Sequence, residues 1–208
     1  MKHCALALFV LAMLFGISAQ ALAGDYVSIN GGAVFMQDSD FSVDDVADNL
    51  EFSYDNGYVV NLALGHTYKQ GGRIEAEFNY RTNDLDELSV SGAGNFPTDG
   101  KVTSWGAMVN AYYDLETGTA VKPFVGAGVG YANVKLEWDG EDDDDGVLAY
   151  QLMTGCGFAV NERITIDLQY RYFAADDPEY SFGDDELEIG ATSEYQNHNA
   201  MLGVRFNF

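Results

Sequence analysis

Apolar and polar side chains alternate residue by residue through eight stretches of this chain. A period of two is the period of a β-strand, whose successive side chains leave opposite faces. The alternation is clearest where Ile74, Ala76, Phe78 and Tyr80 share one face and Arg73, Glu75, Glu77, Asn79 and Arg81 the other. In Asn197 to Phe208, His198, Ala200, Leu202, Val204, Phe206 and Phe208 oppose Asn197, Asn199, Met201, Gly203, Arg205 and Asn207. The other six stretches start near Asp25, Gly57, Ser104, Val121, Leu148 and Ile164.

What separates the stretches alternates too. Short turns at Lys69–Gly72, Asp114–Thr119 and Asn161–Glu162 take turns with long segments at 37–56, 83–100, 139–146 and 174–196. Extended by two residues to 137–146, the third joins the others in holding 7, 4, 7 and 8 acidic residues in chain order, with no Lys or Arg in any of them. Between these segments the chain is nearly neutral. All three prolines, Pro97, Pro123 and Pro178, are expected in loops or at a strand start, where no ladder hydrogen bond is lost.

Residues 1–23 stand outside this pattern. Lys2 and His3 precede an uncharged apolar stretch, Cys4 to Ile17, and Ala21-Leu22-Ala23 is an A-x-A cleavage site, so a signal peptide is expected, leaving 24–208 as one domain. No later stretch has the roughly 20 apolar residues of a spanning helix. If the chain enters a membrane, it does so as a closed barrel, the other architecture that satisfies every backbone group in lipid. The formal net charge of −23 argues against nucleic acid as a partner. With Cys4 in the leader, Cys156 is left without a partner for an internal disulfide.

A soluble sandwich also has one apolar face per strand. It leaves unexplained the leader, the sequence stopping on Phe208, and the placement of outward aromatics. Tyr68, Tyr113, Phe158, Phe206 and Phe208 lie toward the short turns, and Phe35, Tyr58, Tyr80, Trp105, Tyr131, Tyr150 and Tyr172 toward the long segments. Two such girdles around an aliphatic band suit a lipid-facing surface. The expected fold is therefore all-β: an eight-stranded antiparallel up-and-down transmembrane barrel with short periplasmic turns and long acidic extracellular loops.

The sequence resembles the small eight-stranded outer-membrane barrels, which include the opacity-type surface antigens and the transmembrane part of OmpA. The likeness is carried by Arg73-Ile74-Glu75-Ala76-Glu77 and Asn110-Ala111-Tyr112-Tyr113-Asp114, by Lys122-Pro123-Phe124-Val125-Gly126-Ala127-Gly128-Val129-Gly130-Tyr131, and by Gly203-Val204-Arg205-Phe206-Asn207-Phe208. His66 departs from it, since the family usually has tyrosine after the second strand's glycine. The resemblance implies the bacterial outer membrane as location. It implies outer-membrane lipid and lipopolysaccharide as surroundings, and contact with the barrel-assembly machinery through a closing strand signalled by Phe206 and Phe208. The family spans adhesins, serum-resistance proteins, small pores and structural proteins. A structural or surface-interaction role is expected here, with a small gated pore as the alternative and a lipid-modifying enzyme as a remote one.

An eight-stranded barrel encloses a space about wide enough for side chains to fill. Parity sends Arg73, Glu75, Glu77, Arg81, Asp167, Arg171 and Arg205 into it, where they are expected to pair as a polar plug. Asp167 and Arg205 should meet on adjacent strands, with Glu75 or Glu77 reaching across to an arginine. No catalytic site is expected: His66 and His198 fall on the lipid-facing parity near opposite ends, and neither has a serine two residues away. No cofactor or resident metal is expected. Asp139–Gly146 fails the EF-hand template, because position twelve would be Leu152. Divalent cations bridging the acidic loops remain a partner to consider. The loop lengths also set an orientation: an epitope tag inserted after Asp143 is expected to bind antibody on intact cells, and one after Gly71 only after permeabilisation. The opposite labelling would reverse the barrel.

Overall fold

The computed structural model describes residues 24–36, 39–43, 50–54, 56–90, 94–138, 141–176, 179–182, 189–193 and 195–208. The expected leader, 1–23, lies outside the described residues. Eight strands form the body: β1 (Asp25–Met36), β2 (Gly57–Thr67), β3 (Gly72–Val90), β4 (Gly94–Asp114), β5 (Val121–Trp138), β6 (Glu141–Ala159), β7 (Ile164–Ala175) and β8 (Tyr195–Asn207). Each pairs antiparallel with the next. β8 pairs with β1, from Tyr26↔Asn207 to Met36↔Asn197, and closes the ring. No helix among the described residues is long and apolar enough to cross a membrane. The sheet has no need of one.

The period of two becomes two surfaces. Outside lie Ile29, Val109, Val129, Leu148, Leu168 and Leu202, each more than half exposed. Inside lie Ser28, Asn30, Asn61, Asn79, Asn110, Gln151, Gln169 and the charged groups, all buried. Glycines on the inward parity sit opposite large inward neighbours: Gly65 opposite Tyr26, Gly126 opposite Tyr112, Gly130 opposite Met108 and Gly155 opposite Phe124. A Cβ at any of these would collide with that neighbour, so the glycines make room for the side chains that fill the interior.

The short turns are tied tightly. Gly71 N donates to Tyr68 O at 3.1 Å, and Asp114 N to Gly71 O at 2.8 Å. Asn161 Oδ1 accepts from the backbone N–H groups of Arg163 and Ile164, both at 2.9 Å, forming an Asx turn.

The opposite end differs from the sequence expectation. Residues 83–100 and 139–146 were expected to be loops, yet β3 and β4 stay paired to Val90↔Gly94, with a register shift between Leu85 and Glu87. β5 and β6 likewise stay paired to Trp138↔Glu141. The acidic run Glu141–Asp145 is thus a strand. A ladder is held by backbone hydrogen bonds, which acidic side chains do not remove, and here Lys135 faces Asp144 in register while Asn133 Nδ2 donates to Asp144 Oδ2 at 2.7 Å. Strands Ser39–Val43, Leu50–Tyr54, Glu179–Phe182 and Ile189–Ser193 extend the sheet in the order 179–182, 189–193, 39–43, 50–54, joining it at β3. They lie within the two remaining acidic segments.

Gly71 has φ +83°, and a Cβ there would sit 2.6 Å from the Asp114 carbonyl oxygen. Gly118 has φ +70° with nothing within 4 Å of the Cβ position. Gly118→Ala is expected to cost about 1–2 kcal/mol, the left-handed penalty alone, and Gly71→Ala distinctly more. Urea unfolding of the refolded barrel measures both; equal losses would show that the contact with Asp114 does not matter.

Candidate functional site: the charged lumen

At the short-turn end, Arg73 Nε donates to both Asp114 oxygens, at 2.9 and 3.0 Å. Its Nη1 donates to Glu75 Oε1 at 3.1 Å and to Tyr26 Oη at 3.2 Å, while the Tyr26 hydroxyl donates to Glu75 Oε1 at 2.6 Å. The Arg73 guanidinium carbon lies 4.3 Å from the centre of the Tyr112 ring and 5.2 Å from that of Phe124. Arg205 Nη2 donates to Asp167 Oδ1 at 2.9 Å from the neighbouring strand, and Arg205 Nη1 stands 3.8 Å from Asp114 Oδ2. Tyr26 separates the two arginines, with the Arg205 carbon 5.4 Å from its ring centre.

Midway, one pair spans the ring. β3 and β7 lie four strands apart in the eight, and Arg171 on β7 grips Glu77 on β3 with Nη1 to Oε1 at 2.6 Å and Nη2 to Oε2 at 2.9 Å. Two parallel charge-assisted bonds define direction as well as strength. Glu77 also accepts from Asn110 Nδ2 at 3.2 Å, Asn79 Nδ2 at 3.3 Å and Gln151 Nε2 at 3.4 Å. Gln151 donates to Asn110 Oδ1 at 2.6 Å and accepts from Arg171 Nη1 at 3.0 Å. Five strands' worth of inward side chains, β3, β4, β6 and β7 with Asn61 of β2 packed beside them, crowd this level; Glu77 has a fully buried side chain.

Toward the long-connection end the filling turns apolar. Val102, Val134, Leu136, Val147, Phe173 and Tyr195 belong to one buried cluster, and Val34, Val59 and Met201 to another. Arg81 lies at this boundary, fully buried, with its guanidinium carbon 3.6 Å from the centre of the Phe173 ring.

All seven expected lumen residues are buried, and six of them are joined in ion pairs. Arg81 has none among the described residues. Asp114 is the eighth member, and its parity with Asn110 and Tyr112 is the signal that identifies it; placing the turn at Asp114 hides it. Tyr26, Tyr112 and Phe124 share the inward parity, but they carry no charge, and their part in the network is found only from the contacts. His66 and His198 lie outside the lumen. His66 Nδ1 is 2.6 Å from Asp25 Oδ1, with its ring edge-on to Tyr68, and His198 Nδ1 is 2.6 Å from Tyr170 Oη. Cys156 is a half-buried free thiol on the outward parity. Among the described residues, no three His, Cys, Asp or Glu groups gather as metal ligands. The strand geometry of Asp143–Asp145 sends successive carboxylates to opposite faces.

A closed antiparallel ring with an apolar exterior and a charged, polar interior is the architecture of an integral membrane barrel. The chain belongs to the outer membrane protein beta-barrel domain family, whose model matches residues 9–208. It is 24% identical to the outer membrane protein PagN of Salmonella typhimurium, over 98% of each chain. It is 25% identical to a protein of Rickettsia conorii provisionally named an adhesin, over 88% of this chain and 81% of that one. In fold it is similar to the outer membrane protein OprG of Pseudomonas aeruginosa, with TM-score 0.64, 17% identity, and 89% and 96% of the two chains covered. It is also similar to Neisserial surface protein A, with TM-score 0.59, 20% identity, and 89% and 98% covered. The protein is a bacterial outer-membrane barrel.

Glu77→Ala leaves Arg171 buried without its partner, and Arg205→Ala does the same to Asp167. Each is expected to destabilise by about 3–5 kcal/mol, read as a lowered urea midpoint of the refolded barrel. A double-mutant cycle on Glu77 and Arg171 should show strong coupling, and additive losses would mean that the pair does not act as a unit.

Proposed function

We propose that this protein is a non-catalytic outer-membrane barrel with a plugged lumen, acting at the cell surface in adhesion, shielding or envelope integrity. The observation that carries this reading is the Glu77–Arg171 bridge. A bidentate ion pair between opposite walls, surrounded by Asn79, Asn110 and Gln151, crosses the space that a solute would need. The buried layer of Val102, Val134, Leu136 and Phe173 beyond it adds a second obstruction.

The end bearing the acid-rich segments then faces outward, by the usual relation of long connections to the cell exterior. That end offers a negatively charged rim to partners, and the surrounding lipopolysaccharide is anionic as well. The name of the Rickettsia relative supports the adhesive form of the role. On the opposite side, pairing of β8 with β1 and the outward Phe206 and Phe208 support recognition of the closing strand by the barrel-assembly machinery. Catalysis has little to build on: His66 and His198 are engaged with Asp25 and Tyr170 on the outer wall, remote from the buried carboxylates.

Planar-bilayer recording of the refolded barrel tests the plug against the pore. No steady conductance is expected from the wild type, nor a large one from Arg205→Ala, because the Glu77 bridge remains. A steady wild-type current would replace this reading with that of a small gated pore.

A further inference from the structure

Among the described residues, the four arginines and four carboxylates of the lumen balance in number but not in position. Around Tyr26, Arg73 and Arg205 meet three carboxylates, those of Glu75, Asp114 and Asp167. Farther along, Arg171 and Arg81 share Glu77, and Arg171 takes both of its oxygens. Arg81 is left fully buried, with no carboxylate at ion-pair distance among the described residues.

Its surroundings satisfy only one side of the guanidinium. Nη1 donates to Asn79 Oδ1 at 2.8 Å, and the face of the group lies against Phe173. Nε and Nη2 have no acceptor among the described residues. These two nitrogens form the side-on edge of the guanidinium, the fork that grips a carboxylate or another small anion with two parallel bonds. The Ser104 hydroxyl also lacks a hydrogen-bond partner, and Ser104 is the register partner of Arg81 on β4. Asn197 Nδ2 is another donor without an acceptor, on the residue registered with Phe173. Buried donors are rarely left unmade. The neighbours in register, Val59 beside Arg81 and Val134 beside Ser104, make the setting apolar, where an uncompensated cation is costly and an added anion is strongly held.

We propose that the Nε–Nη2 edge of Arg81, with the Ser104 hydroxyl, is a binding site for one small monovalent anion, a halide or a carboxylate of the size of formate. The anion supplies the counter-charge that Glu77, committed to Arg171, does not. The surplus carboxylate of the lower cluster cannot serve, because it is already engaged with Arg73 and Arg205 at the far end of the lumen.

The refolded full-length barrel in detergent micelles, unfolded in urea at constant ionic strength, tests this with sodium chloride, sodium formate and sodium gluconate. Chloride and formate should raise the unfolding midpoint saturably over gluconate, whose anion is too large for the fork. Arg81→Met should abolish the difference, and Ser104→Ala, which removes only a hydroxyl, should weaken it. Crystals of the wild type grown in bromide provide a readout that needs no variant: an anomalous peak is expected at the Arg81 edge. Equal midpoints in the three salts would overturn the proposal, as would an anion effect that survives in Arg81→Met, or density at the fork without anomalous signal.

Discussion

Every other feature of this barrel depends on the pairing of β8 with β1. In lipid, an unpaired strand edge has no water to satisfy it, so a sheet in that solvent closes or fails. Closure from Tyr26↔Asn207 to Met36↔Asn197 converts a two-faced ribbon into a cylinder with an inside. Only then does the polar parity become buried, and only then do arginines and carboxylates on distant strands come within reach of one another. The backbone constraint comes first, and the side-chain chemistry follows from it.

The interior meets the demands of burial in two different ways. Near the short turns and at mid-height, charge is neutralised by charge and the spare lone pairs by amides, as Glu77 shows with four different donors. Around and beyond Arg81, Val102, Val134, Leu136 and Phe173 supply apolar bulk beside the polar side chains of Ser104 and Asn197. A buried ion pair is not automatically stabilising against an apolar replacement. Its directional geometry, however, fixes which wall meets which, something a Leu or Val layer does less sharply. The glycine rows contribute by shape: Gly126 and Gly155 yield the volume that Tyr112 and Phe124 occupy.

Much of this was legible in the chain itself. Strand number, the inward and outward sets, and the seven charged lumen residues follow from parity alone, because a period of two leaves no freedom about which face a residue takes once its strand is known. What escaped depends on information that parity lacks. The reach of the hairpins beyond Asn83 and Gly146 was hidden because acidic residues read as solvated loop, whereas a ladder tolerates them when Lys135 and Asn133 stand opposite. Asp114 was lost to a turn drawn one residue too early. The distinction between paired Arg171 and unpaired Arg81 is a matter of distances across the ring, for which the one-dimensional pattern has no coordinate.

The Glu77–Arg171 bridge also has a bearing on time. Its two residues are 94 positions apart and sit on opposite walls, so the contact needs a sheet curled far enough to bring β3 opposite β7. Interactions absent from the rate-limiting barrier leave the speed of folding largely alone and act on the reverse step, slowing escape from the native state. A contact of this kind across the ring is better understood as a latch on a finished barrel than as a guide to the local pairing of its strands.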